Sequence, residues 1–129
     1  MEHIYIYYQI YFKNMDINRK KVVTGPRFDE KCKIAGNMVN AIRKEAKFFK
    51  IGMTSDLSKR GDGDDYREGG YDFIDELYRS QSEERVKDME TYLIKRFKKY
   101  DNCKNIKPGG EGKLKWGPPF SVYIAYKKK

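Results

Sequence analysis

A chain of 129 residues and 15.3 kDa is long enough to bury one hydrophobic core and short for two. Hydrophobic residues make up 39% and charged residues 36%, yet aromatics reach 15%, with 11 Tyr, which argues against a disordered chain. The formal charge of +9 is uneven: the first 94 residues hold 17 basic and 17 acidic groups, whereas the last 35 hold 11 basic groups against Asp101 and Glu111. A localised basic surface suggests a polyanion, most often nucleic acid. A solvated Lys-rich tail is the plain alternative.

The longest apolar run, residues 4–12, includes Gln9 and falls short of the roughly 20 residues a membrane span needs. No membrane partner is therefore expected. The chain opens without a basic segment leading to a small-residue cleavage site. With only Cys32 and Cys103 present, a reduced intracellular protein is expected.

Residues 4–12 are β-branched and aromatic and predict a strand, with Ile4, Ile6, Tyr8, Ile10 and Phe12 on one face and Tyr5, Tyr7, Gln9 and Tyr11 on the other. Residues 14–21 are polar and turn-like, and 21–24 predict a short strand stopped by Gly25-Pro26. A helix is predicted over 29–47, capped by Asp29, with Ile34, Met38, Ala41, Ile42 and Glu45 at helical spacing. Gly36 weakens that helix. Residues 48–52 predict a strand closed by Gly52, and Thr54-Ser55-Asp56 supply caps for a short helix over 57–60.

Two loops, 61–65 and 69–70, lead to a predicted strand at 71–79. Ser80 with Glu83 forms a capping-box pattern before a long helix reaching about Tyr100. An irregular stretch over 102–119 precedes a last strand at 121–126 and the Lys127-Lys128-Lys129 end. These elements predict one α+β domain over 1–129, with a small antiparallel sheet of about three core strands flanked by helices.

The long helix contains an anomaly. Val86, Met89, Leu93, Ile94 and Phe97 form an apolar stripe, and Glu90 falls in its middle. A carboxylate there must be paired with a Lys or Arg, be protonated, or hold a metal, because an unpaired buried charge is costly. Glu83 shares that face but lies in the first turn, where the helix dipole accounts for it. Asp62, Asp64 and Asp65 imitate the start of a calcium loop, but Phe73 stands where the closing Glu belongs, so a solvated turn is expected. Cys32, Cys103 and His3 lack zinc-site spacing. Trp116, Phe120 and Tyr123 with Lys113 and Lys115 fit either a basic-aromatic nucleic-acid contact or core packing with lysines outside.

Three signals occur in order: Tyr5-Ile6-Tyr7 on the first strand, Lys50-Ile51-Gly52 with Arg60 ten residues past the lysine, and Glu90 followed by Asn105 and Gly109-Gly110. Together they resemble the GIY-YIG nuclease family, in the divergent form whose second motif reads Lys-Ile-Gly. The resemblance covers residues 4–112 and is best over 49–60 and 84–112. It implies that Glu90 is the single protein ligand of one divalent ion, Mg2+ or Mn2+, since carboxylate oxygen suits a hard cation that keeps its waters. It implies that Arg60 neutralises charge growing on phosphorus. Tyr7, or Tyr5 on the same face, would orient or deprotonate the attacking water, with Lys50 supplying positive charge and Asn105 fixing the geometry. The helix at 27–47 would then be an insertion in the hairpin of the two motifs, and 113–129 a basic C-terminal extension.

The function this implies is a metal-dependent endonuclease that hydrolyses DNA phosphodiester bonds by in-line water attack, leaving a 5′-phosphate and a 3′-hydroxyl. Arg43, Lys44 and Lys47 on the inserted helix, and Lys107, Lys113 and Lys115 near the C-terminus, are the candidate DNA contacts. A homodimer would let such an enzyme cut both strands. A non-catalytic nucleic-acid-binding module of the same fold is the alternative reading, and a small protein-interaction domain is a third.

Overall fold

The computed structural model describes residues 15–61, 66, 68–110 and 114–129. The predicted strand at 4–12, with Tyr5 and Tyr7, lies outside the described residues, as does Lys113. The architecture is α+β: a four-stranded mixed sheet flanked by helices. In chain order the elements are β1 (Asp16–Asn18), α1 (Phe28–Glu45), β2 (Ala46–Thr54), α2 (Leu57–Gly61), β3 (Phe73–Ser80), α3 (Glu83–Phe97) and β4 (Phe120–Lys128). The strand order is β1-β3-β4-β2, with β4 antiparallel to both neighbours and β1 parallel to β3. The expected small antiparallel sheet is thus a mixed one, and the parallel edge strand β1 falls where a polar turn was expected. Val23, in the predicted strand at 21–24, makes a single parallel bridge to Tyr78.

The last strand, predicted at 121–126 inside the basic extension, forms over Phe120–Lys128 and is central in the sheet, with Phe120 through Tyr126 buried. Phe120 and Tyr123 therefore pack in the interior rather than forming an exposed basic-aromatic contact. Trp116 stays half-exposed, with the Lys59 ammonium 4.2 Å from its ring centroid.

Strand β2 alternates as its sequence dictates. Phe49, Ile51 and Met53 enter the main core, while Lys50 stays exposed on the opposite face. Helix α3 also matches its pattern: Val86, Met89, Glu90, Leu93, Ile94 and Phe97 are its buried residues. Its N-cap is Ser82, whose hydroxyl accepts the Arg85 N–H, rather than the expected Ser80.

Helix α1 differs more. It starts at Phe28 after Arg27 at φ 64, so Asp29 lies in the first turn and is not the cap. Its buried face is Cys32, Ala35, Gly36 and Val39, and Ile34 is left 44% exposed. The Arg96 guanidinium from α3 lies over Gly36, where a Cβ would displace it.

Candidate active site

A cleft of about 400 Å³ opens at the edge of β2, between α2, α3 and the irregular stretch after α3. Four expected site residues from four separate segments line it: Lys50, Arg60, Glu90 and Asn105.

Each is held by local structure. Lys50 projects from β2 on the face opposite Phe49 and Ile51. Arg60 lies in the five-residue helix α2, whose start is capped as the sequence anticipates. The Asp56 carboxylate accepts the Lys59 N–H at 3.0 Å, and Thr54 Oγ1 accepts the Asp56 N–H at 3.1 Å. Leu57 and Gly61 are buried, which anchors the helix and leaves the exposed Arg60 to reach into the cleft.

Glu90 is only 7% exposed, yet it borders the cleft. Its Oε1 accepts the Gly110 N–H at 2.6 Å. That contact needs an unusual backbone. Gly109 and Gly110 stand at φ 92 and 75, and a Cβ on Gly109 would lie 2.7 Å from Ile94 Cδ1 and 3.1 Å from Glu90 Oε1.

Asn105 secures the other end of the same segment. Its side chain accepts the Ile51 N–H and donates to the Ile51 carbonyl, both at 2.8 Å, and so imitates a neighbouring strand on the outer edge of β2. Phe49 makes matching backbone bonds to Asn102 and Lys104 at 2.9 and 2.8 Å. Residues 102–110 are thus a strap, tied to β2 by Asn105 and to α3 by the paired glycines. Lys104 and Lys107 on this strap also line the cleft.

The structure adds two phenols to the site: Tyr66, unnamed in the sequence reading, and Tyr123, named there only as a basic-aromatic contact or a core residue. Tyr123 of β4 pairs in register with Gly52, and its ring lies directly over that glycine. Its hydroxyl is 2.7 Å from that of Tyr66, and both tyrosines line the cleft. Burial pushes the Tyr123 phenol well above its ordinary value, and the charges of Tyr66 and Glu90 add to this, while the Arg60 guanidinium pulls it down. Arg60 and Glu90 therefore both act electrostatically on one hydroxyl. The available signal for Tyr123 was its position in an alternating strand, which gives a face but no neighbour.

The remaining candidates are elsewhere. Arg43 is half-buried, stacked 3.7 Å above the Tyr100 ring and bonded to Asn40. Lys44, Lys47 and Lys115 are exposed and do not line the cleft. Among the described residues, no three His, Cys, Asp or Glu side chains converge on a metal position. No described helix is long and apolar enough to cross a membrane. Compared with family models, with characterised proteins and with solved structures, the chain matches none.

Proposed function

We propose that this protein is a metal-dependent endonuclease of the GIY-YIG type that hydrolyses DNA phosphodiester bonds. One observation carries the reading: Lys50, Arg60, Glu90 and Asn105, which the resemblance assigns to one site, border a single cleft. The cleft also suits its substrate electrostatically. Among the described lining residues, Lys50, Arg60, Lys104 and Lys107 outnumber one carboxylate, so a phosphodiester is attracted and its charge offset.

A divalent cation fits the donor chemistry. Glu90 offers carboxylate oxygen at a polar opening, and with no second acid among the described cleft residues the remaining ligands would be water and phosphate, as Mg2+ prefers. When bound, such an ion would polarise a phosphoryl oxygen and stabilise the departing 3′ oxygen.

The chain's own groups supply the rest. Arg60 forks onto the non-bridging oxygens as charge builds there. Lys50 and Lys104 hold the phosphate by charge. Asn105 and the strap fix the distance between β2 and α3, and hence between Lys50 and Glu90.

In this reading Tyr123 takes the part expected of Tyr7 or Tyr5. It lies on β4, the antiparallel partner of the Lys-Ile-Gly strand, as the first-motif tyrosine of the resemblance should. The tyrosine strand then comes last in the chain. With its phenol raised, Tyr123 keeps its proton near neutrality and orients the attacking water by hydrogen bonding. The water adds in line to phosphorus, the bond to the 3′ oxygen breaks, one proton of the water passes through solvent to that oxygen, and a 5′-phosphate and 3′-hydroxyl result.

The test is a plasmid assay. Supercoiled DNA should be nicked or linearised with Mg2+ or Mn2+, and chelator or Glu90→Gln should stop it. The glutamine keeps an oxygen for the Gly110 N–H, so loss of activity with an intact fold isolates the charge. Salt-sensitive DNA binding without cleavage in any divalent metal would leave a binding module instead.

A further inference from the structure

The groove does not end at the cleft. It continues into a second hollow of about 490 Å³ that shares Lys50, Arg60, Tyr66 and Lys104 with the first. The far wall differs in kind: Phe48 and Tyr71 stand there instead of Glu90 and Gly109. Phe48 occurs two residues before Lys50, so the period of the strand puts an aromatic ring and a cation side by side on the face that carries Gly52. The Phe48 and Tyr71 rings are 5.0 Å apart and perpendicular at 89°, forming a corner. Both are only half-buried although the main core lies beneath β2. The Lys104 ammonium, at 5.9 Å from the Phe48 centroid, closes the cationic side.

We infer that this second hollow is a subsite for an unpaired nucleobase adjoining the phosphate held at Lys50 and Arg60. The inference rests on the reading of the cleft as a phosphodiester site, and it narrows the substrate to DNA with a single-stranded segment beside the cut. Three cations line the hollow with no carboxylate among its described residues, so its occupant carries an anion. The aromatic corner next to those cations asks for a flat apolar group attached to that anion. A nucleotide combines the two. A base inside a duplex has both faces covered by its neighbours, and only an unstacked base can lie on a protein ring. The hollow's volume falls within the roughly 300–1,000 Å³ of ordinary small-molecule sites.

The test uses the Glu90→Gln protein with chelator, so that binding is read without cleavage. Fluorescence anisotropy compares a blunt duplex with the same duplex carrying a short unpaired tail, at one salt concentration. The tail should tighten binding roughly tenfold, the worth of one base–aromatic stack. Phe48→Leu, which keeps apolar bulk without a ring, and Phe48→Ala should each bring that ratio close to one. Lys104→Ala should weaken both probes alike, as a phosphate contact does. Equal affinity of the unsubstituted-Phe48 protein for both probes, or a ratio that survives in a folded Phe48→Leu protein, overturns the subsite. A ratio that depends on Phe48 in a protein that never cuts plasmid would support the subsite and remove the catalytic reading alone.

Discussion

Gly52 is where packing and chemistry meet, and Gly52→Ala tests both. An added Cβ would lie 2.5 Å from Tyr123 Cζ and closer still to its hydroxyl oxygen. Carbon atoms pack at about 3.5–4.0 Å, so the ring would have to retreat by about 1 Å. It has little room. Tyr123 is 2% exposed, its ring meets that of Tyr66 at 5.9 Å and 75°, and its backbone is paired on both sides by β2 and β3. Overpacking of this kind costs about 1–3 kcal/mol. Displacing the hydroxyl from its 2.7 Å bond to Tyr66 adds about 1 kcal/mol. A total of about 2–4 kcal/mol corresponds to a Tm lower by roughly 6–15 °C for a chain of this size. Thermal and urea unfolding followed by circular dichroism would measure it. Combining the change with Tyr123→Leu, which removes the ring atoms in the way, should cost less than the two single effects together by about 1 kcal/mol or more. A Gly52→Ala protein melting within about 2 °C of the parent would refute the packing of the phenol on the glycine.

Other outcomes follow from the same geometry. Asn105→Ala should cost about 2–3 kcal/mol in urea unfolding, because both Ile51 backbone groups lose their partner at 2.8 Å. Asn105→Asp should rescue little of this, since a carboxylate faces the Ile51 carbonyl; full stability of either variant would show that the strap is held otherwise. Arg60→Ala should slow cleavage roughly 10²–10³-fold, with Arg60→Lys restoring only part, since an ammonium lacks the planar fork. Equal rates for the lysine variant and the parent would mean that a point charge suffices. The fold should also weaken in alkali. Burial, with the nearby Tyr66, pushes the Tyr71 phenol up to about 12, and burial raises Tyr123 too. Groups held above their ordinary value near 10 contribute stability that is complete below about pH 10 and fades between about pH 10 and 12. Tyr71→Phe should flatten that fall in Tm against pH, and phenol absorbance rising at the ordinary pH in the folded protein would contradict it.

Where a feature depends on neighbours along the chain, the sequence by itself determined it. The burial of Glu90 follows from helical period alone, since its stripe from Val86 to Phe97 admits no other face. The strand, glycine and capped turn that carry Lys50 and Arg60 are likewise local, set by alternation and by the Thr54 and Asp56 side chains.

Contacts between distant segments were decided only by the tertiary structure. Asn105 and the paired glycines stood out as a pattern, but their role as a strap exists only because β2 and α3 lie on either side. The exposed Ile34 and buried Gly36 reverse what hydrophobicity alone suggests, because α1 is packed between β2, β3 and α3 on another face. Strand β1, three mostly polar residues, has little strand character of its own and forms where the edge of β3 offers a parallel partner.

Tyr123 shows the limit most clearly. Alternation puts it on a face of β4, but nothing within that strand says that its neighbours are β2 and β3 from the middle of the chain. A side chain's period is written in adjacent residues, whereas its partners depend on which long loops close and which surfaces then bury together.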